Sequence, residues 1–528
     1  MKLFNVLFGG NSTQSNTAEN NTLNKQSIPL NTNLKDSMQY ILNTLGNSYD
    51  VSVRIFVVGK NIKIKMGVIY VEGLVDKAVI QHFILESLML ETKKTSIEQQ
   101  ITSPQNLAQI VRDIIMPAAG MKFVKDYEQL FDYLLYGYTI VFIDGWGQAI
   151  AVNSKGAKSR SIEEPTSQTV IRGPKEGFTE NLGTNTALIR RKIKNPNLWI
   201  ESKFIGRQTK TEVAVAYIKG IADDKVVKEV HSRLNKINID SILESGYIEE
   251  LIHDEPYSPF PTVFNTERPD TIASGLLEGR IAIFVDGTPF VLLVPALFVQ
   301  FFHVSEDYYN QFIIGSMTRV LRYFSFFLAL LVPSLYVAVT TFHQEMIPAT
   351  LLINIAAQRE GVPLPVALEA LIMEITFEIL REAGVRMPRA VGPAISIVGA
   401  LVLGESAVKA GVVSPITVII VSITAICSFI FPAFNMAISV RILRFIFLLL
   451  SATFGLYGIA LGLIVMVLHL CSLRSFGVPY LSPMSPFVIQ DQKDSILHFP
   501  IHKLWSRPKF ISKNNIIRQK DSGPKKPE

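Results

Sequence analysis

The segment Tyr323–Phe342, YFSFFLALLVPSLYVAVTTF, carries no charged residue. As a helix rising about 1.5 Å per residue it can cross the roughly 30 Å hydrocarbon core of a bilayer. Three further stretches share this character. Ala390–Val408 is interrupted only by Glu405, while Val412–Val440 and Phe445–Leu473 contain no acid, lysine or arginine. Before about Ile281 the chain reads instead as a water-soluble protein, so the fold divides between two media. A fifth candidate, TPFVLLVPALFVQFF at Thr288–Phe302, is short, holds two prolines and follows Asp286. It reads equally as a re-entrant or interfacial segment, and the expected count is four or five spans.

Composition supports the split. A mean hydropathy of +0.29 with 48% hydrophobic residues averages a globular half with a lipid-facing half. The opening MKLFNVLFGG is too short an apolar run for a secretory signal and passes into a Ser/Thr/Asn-rich arm. The two cysteines, Cys427 and Cys471, fall inside expected spans, so no disulfide framework supports the soluble half. From Arg474 onward ten basic residues face four acidic ones, a local excess equal to the whole-chain net charge of +6. Basic flanks tend to stay cytoplasmic, which places the tail inside and, with four spans, the N-terminal half inside as well. Tails of this kind set topology or meet lipid headgroups; nucleic-acid binding is not expected.

In the soluble half, runs rich in Val and Ile alternate with helical patterns and indicate α/β organisation. The clearest strands are VSVRIFVV at Val51, GVIYVEG at Gly67, TIVFIDG at Thr139, TEVAVAYIKG at Thr211 and RIAIFVDG at Arg280. Helical periodicity marks Lys77–Leu90 and Asp223–Asn235. Three strands end in an acid followed by glycine: Glu72-Gly73, Asp144-Gly145 and Asp286-Gly287. Such pairs suit strand-ending turns, and no neighbouring His, Cys or acid completes a site.

Between these strands lies EEPTSQTVIRGPKEGFTENLGTNTALIRRKI, from Glu163 to Ile193. Arg172, Lys175, Arg190 and Arg191, set among glycines, form a candidate anion cradle. The competing reading, an ordered loop that docks another domain or subunit, is favoured because nearby glutamates neutralise the bases and no Walker or Rossmann fingerprint is present. Enzymatic motifs are also missing: there is no HExxH, no paired CxxC and no kinase set, and GESAV at Gly404 lacks the final glycine of a nucleophile elbow.

The second long span is rich in small and polar residues. Ser396, Gly399, Gly404, Glu405 and Ser406 form a candidate ion path or a close helix-packing stripe. Glu405 is the sharpest position, because an acid within the membrane is costly unless it meets protein, water or a cation. The alternative is that it sits at the interface beside Lys409. Ahead of this span, Leu368, Leu371, Ile372, Ile375 and Ile379 recur at helical spacing and indicate an amphipathic coupling helix lying on the membrane or on a neighbouring subunit. Its Glu374, Glu378 and Glu382 fall four apart, so cations should offset them. Arg381, Arg386 and Arg389 are the nearest. His343 and Glu345 after the first span form a candidate proton-sensitive pair.

Several long strings carry a resemblance. The Glu163–Ile193 segment, FNTERPDTIASGLLEGRIAIFVDGTPFVLLVPALF, PSLYVAVTTFHQEMIPATLLINIAAQREGVPLP and EILREAGVRMPRAVGPAISIVGALVLGESAVKAGVVSPITVIIVSITAICSFIFP closely resemble the A subunit of spore germinant receptors, the GerA family. The likeness runs from about Ser37 to Phe476. It implies a receptor of the inner spore membrane acting with a transporter-like B subunit and a lipoprotein C subunit. Nutrients would then trigger release of ions and dipicolinic acid, with the A subunit as an oligomeric ion-conducting or signal-transmitting component and no cofactor.

The expected architecture is an α/β cytosolic module of two subdomains followed by an α-helical polytopic membrane domain. Residues 1–36 form a polar arm, 37–160 and 161–285 the subdomains, 286–473 the membrane domain and 474–528 the basic cytoplasmic tail. A secondary transporter with a regulatory soluble domain is a competing class, although no internal repeat joins the spans. A non-conducting receptor scaffold is another.

Overall fold

The computed structural model describes residues 28–58, 62–81, 101–115, 120–156, 164–165, 168–386, 404–513 and 515–519. Most of the polar arm, much of the Lys77–Leu90 helix, and Ser396, Gly399 and Arg389 lie outside them.

The first unit contains α1 (Leu34–Thr44), β1 (Val51–Val58), β2 (Ile64–Val71), α2 (Pro104–Ile115), β3 (Met121–Val124), α3 (Tyr127–Leu135), β4 (Tyr138–Ile143) and β5 (Ala149–Asn153). Its strands form one antiparallel sheet in the order β1-β2-β4-β5-β3. Successive side chains of a strand point to opposite faces, and helices cover both. Ile140 and Phe142 pack with Met38 and Ile41 of α1 and Leu130 of α3. Val141 and Ile143 pack with Leu107 and Val111 of α2. Burial on both faces explains why these strands read as unbroken apolar runs.

The second unit repeats the plan. It contains α4 (Leu182–Lys192), β6 (Leu198–Ile205), β7 (Thr211–Ile218), α5 (Asp224–Lys236), α6 (Ser245–Ile252), β8 (Phe264–Thr266), α7 (Pro269–Glu278), β9 (Ile281–Val285) and β10 (Val291–Val294). The antiparallel order β6-β7-β9-β10-β8 matches that of the first sheet strand for strand. The acid-glycine turns hold equivalent places. Asp144, after β4, accepts a hydrogen bond from the Leu34 amide at the start of α1 (3.0 Å), and Asp286, after β9, accepts one from the Leu182 amide at the start of α4 (3.1 Å). Each carboxylate thus satisfies an amide that the helix leaves unpaired. Asn33 and Asn181 supply the helix caps themselves.

The Thr288–Phe302 segment does not cross a membrane. Val291–Val294 is a sheet strand between β8 and β9, and Phe298–Phe302 forms a buried 3-10 turn. Its apolar sequence serves a doubly covered strand and the core beneath it.

The helical half comprises α8 (Phe312–Thr341), α9 (Ala349–Arg359), α10 (Val366–Arg386), α11 (Gly404–Lys409), α12 (Pro415–Phe429) and α13 (Phe434–Ser472). Among the described residues two helices, α8 and α13, are long and apolar enough to cross a membrane. Four or five such spans are not formed there. The expected third stretch, Val412–Val440, is broken: α12 has 15 residues, about 22 Å, and the chain leaves the helix around Pro432, which lacks an amide hydrogen. Arg441 and Arg444, which separate two apolar runs in the sequence, lie inside α13 before its kink. The bend in α13 falls instead at Gly455 (φ 59°, ψ −140°), where a Cβ would meet His343 Cε1 at 2.9 Å. His343 therefore packs on this kink. Of the Ala390–Val408 stretch, only Gly404–Val408 is described, in α11.

After α13 a small hairpin, β11 (Arg474–Ser475) and β12 (Val478–Pro479), returns the chain to the second unit. Ser475 Oγ accepts from the Ala296 amide at 2.9 Å and the Tyr480 carbonyl accepts from the Phe298 amide at 2.9 Å. Farther on, Arg507 Nε donates to the Leu277 carbonyl at 2.8 Å, and Ser512 Oγ donates to the Ile221 carbonyl at 2.9 Å. One hydrophobic core runs from α4 and α7 through Phe298 and Phe302 into α8 and α13.

Candidate functional site

Charges concentrate where α10 crosses α13. Helical spacing puts Glu374 and Glu378 on one face of α10, toward Arg441 and Arg444 on α13. Arg444 Nη2 lies 3.0 Å from Glu374 Oε2 and 2.9 Å from Glu378 Oε1, and Arg441 Nη1 lies 3.0 Å from Glu378 Oε2. The Arg444 and Glu374 side chains are each only 1% exposed. Both Glu374 oxygens and the Nε atoms of Arg441 and Arg444 lack a hydrogen-bond partner among the described residues. The cluster is held by charge attraction with unused hydrogen-bonding capacity, an arrangement able to exchange partners. A second acid, Glu369, is fully buried. Its Oε1 accepts from both the amide and the hydroxyl of Ser414 at 2.6 Å, tying α10 to the start of α12.

The acids of the coupling helix therefore find partners, but not those nearest in sequence. Glu374 and Glu378 pair with α13, and only Glu382 pairs locally, with Arg386 at 2.6 Å on the surface. Leu368, Ile372, Ile375 and Ile379 remain exposed, so the apolar stripe of α10 is uncovered within one chain.

At the root of α8 a second network joins soluble and helical halves. Arg319, with no exposed surface, reaches Asp307 at 3.4 Å and Asp494 of the tail at 2.8 Å, while Arg322 reaches Asp307 at 2.7 Å. Burial raises Asp494, but the hydrogen bond from His498 and the Arg319 charge outweigh it and hold the carboxyl below its ordinary range. His303 Nε2 lies 3.1 Å from the Ser495 carbonyl. Burial, reinforced by the Arg319 charge, pushes its imidazole from 6.5 down to about 3. A folded value below the unfolded one means that the unfolded chain binds more protons in this interval, so stability falls as pH drops from 6.5 toward 3. Protease cleavage of the tail in the full chain is expected to accelerate between pH 7.5 and pH 5. His303→Gln should flatten that response, and an unchanged slope in the variant would assign the pH dependence elsewhere.

The four-base anion cradle does not assemble. Arg190 lies on α4, fully buried, with Nε and Nη2 at 2.8 and 2.9 Å from the two Asp50 oxygens and Nη1 donating to the Leu198 carbonyl. It joins the two α/β units. Arg191 borders the cleft between them. Lys175 sits 3.6 Å from Glu164 on the surface, and the Arg172 amide donates to Glu306 at 3.1 Å. Glu405 is exposed in α11, 2.6 Å from Lys409 Nζ, with Gly404 and Ser406 beside it. Among the described residues no cluster of His, Cys, Asp or Glu is placed to hold a metal. Sequence reasoning missed Asp50, Asp307, Arg319, Glu369, Arg441 and Arg444; an available signal was the arginine pair flanked by long apolar runs.

Residues 39–510 match the family described as Bacillus/Clostridium GerA spore germination protein. Spore germination protein KA of Bacillus subtilis (strain 168) is 53% identical over 481 residues, covering 91% of this chain and 87% of that protein. Uncharacterized membrane protein YfkQ of the same organism is 45% identical over 491 residues, covering 93% of each. The crystal structure of the N-terminal domain of the A subunit of the Bacillus megaterium spore germinant receptor GerK3 aligns with a TM-score of 0.42 and 43% identity, covering 52% of this chain and all of that one.

Proposed function

Because the chain belongs to the GerA family of spore germination proteins, we propose that it passes nutrient binding on to ion release as a channel-forming, oligomeric A subunit of a germination receptor. It works with a transporter-like B subunit and a lipoprotein C subunit in the inner spore membrane, with the α/β module and the tail on the cytoplasmic side. The observation that carries this reading is the Glu374, Glu378, Arg441 and Arg444 cluster held among apolar helices. Ionisable groups in such surroundings are expensive, and function is the usual reason for them. The exposed apolar faces of α10 and α13 supply area for lipid and for neighbouring copies. The segment with Ser396, Gly399, Gly404, Glu405 and Ser406 borders the ion path, and Glu405 attracts cations to its mouth.

The test is current across a planar bilayer, with the chain alone and with its B and C partners. Nutrient-dependent cation current that falls severalfold in Glu405→Ala supports the reading. A silent bilayer with a correctly assembled complex would make the chain a non-conducting scaffold.

A further inference from the structure

A cavity of about 570 Å³ lies between α7 and the C-terminal segment, away from the charged cluster of the helical half and from the cleft between the two α/β units. Its volume falls in the range that holds small organic ligands. Phe264, Leu277 and Leu293 give it apolar walls on the module side, and Ile501 and Leu504 of the tail line the opposite side. The tail is fastened beside it by the Arg507 bond to the Leu277 carbonyl, and within the tail Gln519 Nε2 donates to the Ile501 carbonyl.

One cation inside this space is only partly used. Arg280 is 5% exposed. Its Nε donates to Glu278 at 3.2 Å, and its Nη1 donates to the Pro295 carbonyl at 2.7 Å and to Gln300 Oε1. Its Nη2 makes no hydrogen bond among the described residues, and the side chain lines the cavity. The two acids of the wall are already engaged: Glu278 by Arg280 itself, and Asp270 by Arg268 at 2.7 Å and by the Tyr309 hydroxyl at 2.7 Å. Arg518 and Lys192, the latter 3.4 Å from Glu176, add positive charge at the lining, while His303 stays neutral at ordinary pH. Three bases against two acids leave the lining net positive, and the Arg280 guanidinium keeps one nitrogen without a hydrogen bond among the described residues.

We infer that this cavity is a binding site for a small organic carboxylate with an apolar body, its carboxylate on Arg280 Nη2 and its body between α7 and the Ile501–Leu504 segment. A guanidinium suits a carboxylate through charge-assisted hydrogen bonds. Because the tail forms one wall, an occupant bridges the module and the segment that continues from α13.

The experiment uses the purified full chain in detergent and isothermal titration with acetate, succinate, 3-phenylpropionate, inorganic phosphate and 3-phenylpropylamine. Saturable one-to-one binding of 3-phenylpropionate is expected, with 3-phenylpropylamine weaker by about tenfold or more because the charge is reversed. Arg280→Gln should weaken 3-phenylpropionate by about tenfold or more. Ser274→Trp, at an exposed lining position of α7 where folding is little challenged, should abolish binding by filling the space. The inference is overturned if none of the three carboxylates binds saturably up to about 10 mM, if the amine binds as well as its carboxylate counterpart, or if binding survives both substitutions. Phosphate displacing 3-phenylpropionate at equal concentration would overturn the assignment to carboxylates.

Discussion

Substituting Arg190 by methionine is expected to cost about 3–5 kcal/mol of stability, the loss seen when one partner of a buried ion pair is removed. The size follows from burial. Arg190 is fully buried and Asp50 is 4% exposed, and the guanidinium fork meets both carboxylate oxygens while also donating to the Leu198 carbonyl. Without it, a carboxylate stays buried between two sheets with no cation beside it. The other contacts across this boundary are weaker. The Tyr49 amide donates to the Ile200 carbonyl at 3.1 Å, and Trp199 Nε1 donates to the Thr44 carbonyl at 3.1 Å. Thermal unfolding of the purified chain followed by circular dichroism should show the α/β signal lost at lower temperature. Arg190→Met with Asp50→Leu should recover most of the loss, since two apolar groups restore neutrality. A double variant no more stable than the single one would show that Arg190 acts through packing alone.

The second large effect is expected at Arg444. Its replacement by methionine leaves Glu374 buried with no cation in contact, while Glu378 keeps Arg441 at 3.0 Å. A loss of about 3–5 kcal/mol is the upper expectation, and protonation of Glu374 limits it. Adding Glu374→Leu should restore stability, because α10 and α13 then meet through apolar groups. If the cluster also sets the state of the pore, the double variant will regain stability but not nutrient-dependent current. Restoration of both would make the cluster a packing device, and restoration of neither would point to a wider rearrangement of α10.

The strands with acid-glycine endings are visible in the sequence because turn chemistry and unbroken Val/Ile runs are local properties. The strand at Val291–Val294 is not. A strand covered on both faces and a membrane segment are equally apolar, and only pairing with residues 281–283 and 264–266 separates them. Periodicity locates α10, yet it cannot tell that Glu374 and Glu378 face arginines more than sixty positions onward. The RRK run ending α4 poses the same difficulty. Consecutive helical residues point about 100° apart, so one of the three turns inward, and the choice of Arg190 is made by Asp50 in the turn before β1 of the other unit.

The hairpin that returns the chain from α13 to the module constrains the path through the bilayer. Ser475, Tyr480 and Arg507 bond to Ala296, Phe298 and Leu277, so if the helical half crosses a bilayer, the points where the chain leaves and rejoins the soluble body share one aqueous compartment. A continuous chain that starts and ends on the same side must traverse the membrane an even number of times. Every traverse would then have a returning counterpart. An arrangement with the module on one side and the tail on the other would require these contacts to break.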